Sequence, residues 1–131
     1  EEAGWENGIE GFMATSDLQR VAEYIDQYLP EIYYVNSEPG CVDIMASGVS
    51  KWRGIKILAE SLNIAHEDIL TVGNYYNDID MLQHAGVGIA VANSLPEVKD
   101  VADFVTEYDN NHDAVAEIIS KMLHHEYDMT K

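Results

Sequence analysis

A chain of 131 residues that is 47% hydrophobic is long enough for one compact α/β unit or pieces of two, and leaves little room for two complete domains. Twenty-four acidic residues against seven basic ones give a formal charge of −17, which repels nucleic-acid phosphates and anionic lipid and so argues against both as partners. No run reaches the roughly 18 apolar residues of a membrane span, the start EEAGWENGIEGF lacks the basic and apolar regions of a signal peptide, and the lone Cys41 has no internal disulfide partner and no zinc-type cluster around it. These traits fit a soluble protein of the reducing cytoplasm.

In chain order, Ser16-Asp17-Leu18-Gln19 offers a capping box, and Leu18, Val21, Ile25 and Leu29 then recur at helical spacing until Pro30 closes the segment. Ile32 to Val35, a Ser-Glu-Pro-Gly turn and Cys41 to Met45 read as a hairpin of two short strands. Gly48-Val49-Ser50-Lys51 breaks that pattern. Trp52, Ile55, Leu58 and Leu62 mark one face of a second helix, with Ser50 as its cap and Lys51 in its first turn.

Ile69 to Gly73 has the form of a buried parallel strand, followed by the loop Asn74-Tyr75-Tyr76-Asn77-Asp78 and a helix through Ile79, Leu82 and Ala85. Val87 to Val91 predicts the next strand, Ser94-Leu95-Pro96-Glu97 a capping-box helix start, Phe104 to Thr106 a further strand, and Val115, Ile118, Ile119 and Met122 a last helix begun by His112. Alternating strand and helix from Lys51 onward predicts a parallel sheet with covering helices, whereas residues 1 to about 48 read as a helix with antiparallel strands.

In open parallel sheets a ligand lies at the carboxyl ends of the strands, where Val72 to Asp78 falls. The Asn and Asp side chains there offer hard oxygens suited to Mg²⁺, although the same residues also serve as an ordinary Asx-rich turn capping the next helix. Lys51 at a helix start offers positive charge beside free N–H groups, a setting suited to phosphate, although taken alone it reads more readily as a plain surface lysine. Arg53 and Lys56 compete for such a role. The histidines lack the His-x-x-x-His spacing of a helical metal pair and read as surface residues, as does the acid Asp80.

Gly-Val-Ser-Lys at 48 to 51, then Gly-Asn-Tyr-Tyr-Asn-Asp-Ile-Asp-Met at 73 to 81, resembles the third and fourth motifs of the Cof-type haloacid-dehalogenase phosphatases. Gly88 to Ser94 and Ala102-Asp103 extend the likeness, as do Tyr33 to Ser37 and Val42 to Ile44, which look like closing strands of that family's cap. The resemblance implies a HAD-like Rossmannoid α/β core: residues 1–48 would be a C-terminal remnant of an α+β cap domain and residues 49–131 the C-terminal half of the core. It implies a Mg²⁺-dependent phosphatase of small phosphorylated metabolites, in which Lys51 is catalytic and binds phosphate, Asn77 orients the phosphate or the nucleophile, and Asp78 and position 74 hold the metal.

The family has aspartate at that last position, whereas Asn74 stands here, which implies weaker Mg²⁺ binding. Trp52 follows Lys51 where the family commonly has Gly, which implies a narrower phosphate pocket. No Asp-x-Asp lies in an apolar strand, so the aspartyl-phosphate nucleophile is expected outside this chain, and the isolated chain is expected to be inactive. Its partner would then be a missing N-terminal portion or a second copy. The alternative is a non-catalytic module of the same fold that binds a partner or an anion.

Overall fold

The computed structural model describes residues 11–127, and the chain falls into two compact units, Glu1–Val49 and Ser50–Lys131. Residues 1–10 of the expected cap remnant, and the chain start weighed as a signal peptide, lie outside the described residues. No helix of the described residues is long and apolar enough to cross a membrane.

Among the described residues, the first unit is an antiparallel sheet with one helix. β1 (Gly11–Ala14), β2 (Ile32–Glu38) and β3 (Cys41–Ala46) pair in the order β1-β3-β2, and α1 (Leu18–Tyr28) follows β1. The hairpin of β2 and β3 turns through Gly40, whose φ of 80° suits a residue without a Cβ. β1 is an addition to the expected elements: Gly11 to Ala14 carries no alternating pattern and joins the sheet by pairing with β3 from Gly11↔Met45 to Ala14↔Val42. α1 starts differently from its expected capping box, because Asp17 is the cap residue, in a left-handed conformation and without a side-chain cap bond. Among the described residues of the first unit, Ile25 of α1 and Val42 of β3 are the buried apolar ones.

The second unit alternates helix and strand, as its sequence pattern predicts. α2 (Lys51–Leu62), β4 (Leu70–Gly73), α3 (Ile79–His84), β5 (Val87–Ala90), α4 (Pro96–Val101), β6 (Phe104–Val105) and α5 (Ala114–Leu123) follow one another, and the strands form a parallel sheet in the order β4-β5-β6. Side chains alternate across a strand, and β5 shows it. Val87 and Ile89 pack with Ile118 of α5 on one face, while Ala90 packs with Leu82 of α3 and Val98 of α4 on the other. Helices thus cover both faces.

Two expected caps resolve unlike each other. Ser50 does cap α2, its Oγ accepting from Arg53 N at 3.1 Å. Ser94 does not cap α4; it is buried and donates from Oγ to the Gly73 carbonyl at 3.2 Å, tying the loop after β5 to the end of β4. α5 begins at Ala114, later than His112, because His112 and Asn111 both bind Asp109 and close a turn of their own.

Candidate active site

The loop after β4 is organised around one carboxylate. Gly73 ends the strand so close to Asp78 that a Cβ at position 73 would lie 2.4 Å from the Asp78 Cβ, so only glycine permits the loop to fold back here. Asp78 is 3% exposed, and its Oδ2 accepts from the backbone N–H of Asn74 at 2.8 Å and of Tyr75 at 3.2 Å. Its Oδ1 meets Lys51 Nζ at 2.5 Å. The residues expected to cap a turn and those expected to hold a cation are therefore the same residues in one hydrogen-bonded arrangement.

Lys51 comes from the first position of α2, where the unpaired N–H groups of a helix start leave a partial positive charge. An ammonium has three N–H donors, and with its side chain 48% exposed Lys51 keeps donors for a further acceptor beyond Asp78. A depression of about 300 Å³ lies over this pair, lined among others by Lys51, Gly73, Asn74, Asp78 and Asn110. It sits at the carboxyl end of β4, where open parallel sheets bind ligands.

The structure thus brings together Lys51, Asn74 and Asp78 of the four expected residues. Asn77 lies half-buried in the 3₁₀ turn Tyr76–Asp78 and does not line the depression. Trp52 corrects an expectation: instead of narrowing the depression it points to the core, 8% exposed among Met81 and Ala85, with the His84 ring stacked at 5.7 Å and the His66 ring edge-on at 5.1 Å. A large apolar ring at that position of the helix is better satisfied by burial than by facing an anion. Asp80 is half-exposed and pairs with His84 at 3.1 Å.

Asn110 was not singled out in the sequence, and Asp103 was quoted there for its likeness alone, with no role given to it. Asn110 reaches the depression from the loop after β6, far away in the chain. Asp103 accepts from Gly88 N at 2.8 Å, fastening the start of β5 to the approach of β6. Only the parallel pairing of β5 with β6 brings those residues close.

The sequence matches the family of haloacid dehalogenase-like hydrolases over residues 9–119, most of the chain. The chain belongs to that family. Among its relatives, the protein named "Putative phosphatase MG265" of Mycoplasma genitalium is 34% identical over 114 residues, which cover 85% of this chain and 41% of MG265. The 5-amino-6-(5-phospho-D-ribitylamino)uracil phosphatase YcsE of Bacillus subtilis is 34% identical over 89 residues, 68% of this chain and 35% of YcsE. A haloacid dehalogenase-like hydrolase of known structure from Bacteroides thetaiotaomicron superposes with a TM-score of 0.72 at 27% identity, over 93% of this chain and 49% of the other. The chain therefore spans less than half the length of each of these three proteins.

As a member of this family the chain can be tested for fit to a hard divalent cation. A carboxylate offers about four lone-pair positions, and three of those on Asp78 are taken by Lys51 and two backbone N–H groups. Asn74 adds a neutral, exposed amide oxygen. Among the described residues no group of three or more His, Cys, Asp or Glu could hold a metal ion. Such a donor set has the right hardness for one side of a largely hydrated Mg²⁺, and it needs further oxygens to complete a site.

Proposed function

We propose that this chain furnishes the phosphate-binding side of a Mg²⁺-dependent phosphohydrolase of small phosphorylated metabolites, working in the cytoplasm, with the nucleophilic aspartate outside the chain. On this reading residues 1–48 close a cap domain and residues 49–131 form half of the catalytic core. The observation that carries it is the Lys51–Asp78 pair, 2.5 Å apart, at the start of α2 and beside the end of β4. Family membership adds that the chain's relatives include a named phosphatase.

Lys51 has two roles in this reading. Its remaining N–H donors bind the non-bridging phosphate oxygens, and its charge offsets what accumulates on them as the bond to the leaving oxygen breaks. Asp78 fixes the ammonium in place, and the N–H bonds from Asn74 and Tyr75 fix Asp78. Asn77 orients the phosphate or the attacking carboxylate. In the reaction, the outside carboxylate displaces the alcohol to form an aspartyl phosphate, and water then releases inorganic phosphate and restores the carboxylate.

Asn74 and Asp78 would hold Mg²⁺, which supplies positive charge to the phosphate oxygens when bound. With Asp78 offset by Lys51 and Asn74 neutral, this side of the site carries almost no net charge for a cation to find. Asn74→Asp is therefore expected to tighten Mg²⁺ binding, measured by calorimetric titration of the chain; unchanged affinity would remove position 74 from the metal side. The same neutrality favours a second reading, a non-catalytic module of this fold that binds an anion or a partner.

Titration of the chain with inorganic phosphate tests the main proposal. Lys51→Ala is expected to weaken the interaction markedly. Equal phosphate affinity in the two proteins would sink it.

A further inference from the structure

A loop from the far edge of the second unit also reaches the depression. It follows β6 and is held at several points: the Glu117 carboxylate accepts from Glu107 N at 2.9 Å and Tyr108 N at 3.1 Å, Ala92 N donates to the Tyr108 carbonyl at 3.2 Å, and Asp109 binds Asn111 N at 2.8 Å. Asn110 stands at its tip and lines the depression together with Lys51, Asn74 and Asp78.

The orientation of the Asn110 amide follows from its neighbours. A backbone N–H can only donate, so the Asn93 atom 3.4 Å from Asn110 N is the carbonyl oxygen Oδ1. Asn93 Nδ2 is thereby turned towards Asn110, where it donates to Oδ1 at 2.7 Å. Asn111 Nδ2 donates to the same Oδ1 at 3.3 Å. With its oxygen engaged twice, Asn110 is left with an NH₂ group that has no partner among the described residues, at the rim of a depression that also holds a lysine ammonium.

We infer that Asn110 is a substrate-binding residue, its carboxamide NH₂ donating to an oxygen of the phosphate group bound by Lys51, and that Asn93 is the positioning residue that turns it. The inference rests on the phosphate-binding reading of the depression. Two neutral N–H donors add hydrogen bonds to the anion without adding charge, and the clasp from Asn93 removes the orientational freedom that an exposed asparagine otherwise loses on binding.

The test is a titration of the full chain with inorganic phosphate, followed by ¹H–¹⁵N NMR. The side-chain NH₂ pair of Asn110 is expected to shift with the same dissociation constant as the Lys51 amide. Asn110→Ala should weaken binding about 2- to 12-fold, the range of one ordinary hydrogen bond. Asn110→Asp is the sharper variant. It keeps the oxygen that accepts from Asn93, so the loop is retained, yet it replaces the donor with a carboxylate oxygen that repels phosphate. It should therefore weaken binding more than Asn110→Ala, while Asn63→Asp, an equal change of charge at the other end of α2, should leave affinity unaltered.

A merely structural role for Asn110 makes the opposite ranking, with Asn110→Asp close to the unsubstituted chain, and that result overturns the inference. So does an equal loss in Asn63→Asp. If Lys51→Ala weakens phosphate binding while both Asn110 variants do not, the inference fails and the phosphate site stands. If Lys51→Ala has no effect, both fail together.

Discussion

Strands β3 and β5 each run through the middle of a three-stranded sheet, yet all four residues of β5 are buried and Val42 alone is buried in β3. β5 has helices on both faces, α5 on one and α3 with α4 on the other, so its side chains are enclosed whichever way they point. The β3 sheet belongs to a unit with one helix among the described residues, and Phe12, Met13 and Tyr33 on its neighbouring strands remain exposed. Centrality in a sheet does not create a core; coverage of both faces does. The difference also bears on the proposed site, because a buried parallel sheet can hold a loop such as Val72 to Asp78 in one conformation.

The contrast predicts a ranking of mutational costs. Leu82→Ala removes a fully buried side chain from beneath β5 and should cost about 2–5 kcal/mol in urea unfolding followed by circular dichroism. A cost near zero would break the comparison at its stronger end. A smaller, pH-dependent effect is expected from Glu117. Burial alone would raise its pKa, but the Lys121 ammonium and the Glu107 and Tyr108 N–H groups outweigh this and hold it below the ordinary 4.5. A lowered carboxyl pKa stabilises the folded chain above the ordinary glutamate range, and that contribution is lost as pH falls through the lowered value. Between about pH 6 and about pH 3 the stability of Glu117→Gln should thus fall less steeply than that of the unsubstituted chain; parallel curves would remove Glu117 from the acid response.

The smallest effect belongs to the first unit. Phe12 is 58% exposed, and Phe12→Ser should change stability by less than about 0.5 kcal/mol. A cost approaching that of Leu82→Ala would mean that the open face of the β3 sheet is covered in solution, and the contrast between the two sheets would narrow.

Much of the second unit was legible in its sequence because burial on both faces leaves short apolar runs, as in Val87 to Ala90, and because Ser50 and Gly73 mark the ends of elements by local chemistry. β1 was not, since a four-residue edge strand is specified by its partner β3 more than by its own residues. Ser94 and Trp52 misled in the same way. Each fits a local rule, a cap or a pocket wall, and each is drawn instead to a tertiary partner, the Gly73 carbonyl or the core around Met81. Lys51 and Asp78 could be named from motif spacing, but Asn110 could not, because its place depends on how β6 pairs with β5 and on the Asn93 clasp.

The central claim is that Lys51 serves phosphoryl transfer. Its most direct test is phosphate release from a panel of small phosphomonoesters by a longer polypeptide that contains this sequence and reaches the length of its relatives, with and without Lys51→Ala. The account predicts Mg²⁺-dependent release that falls by on the order of 100-fold or more in the variant. Release that is unchanged by Lys51→Ala would contradict it.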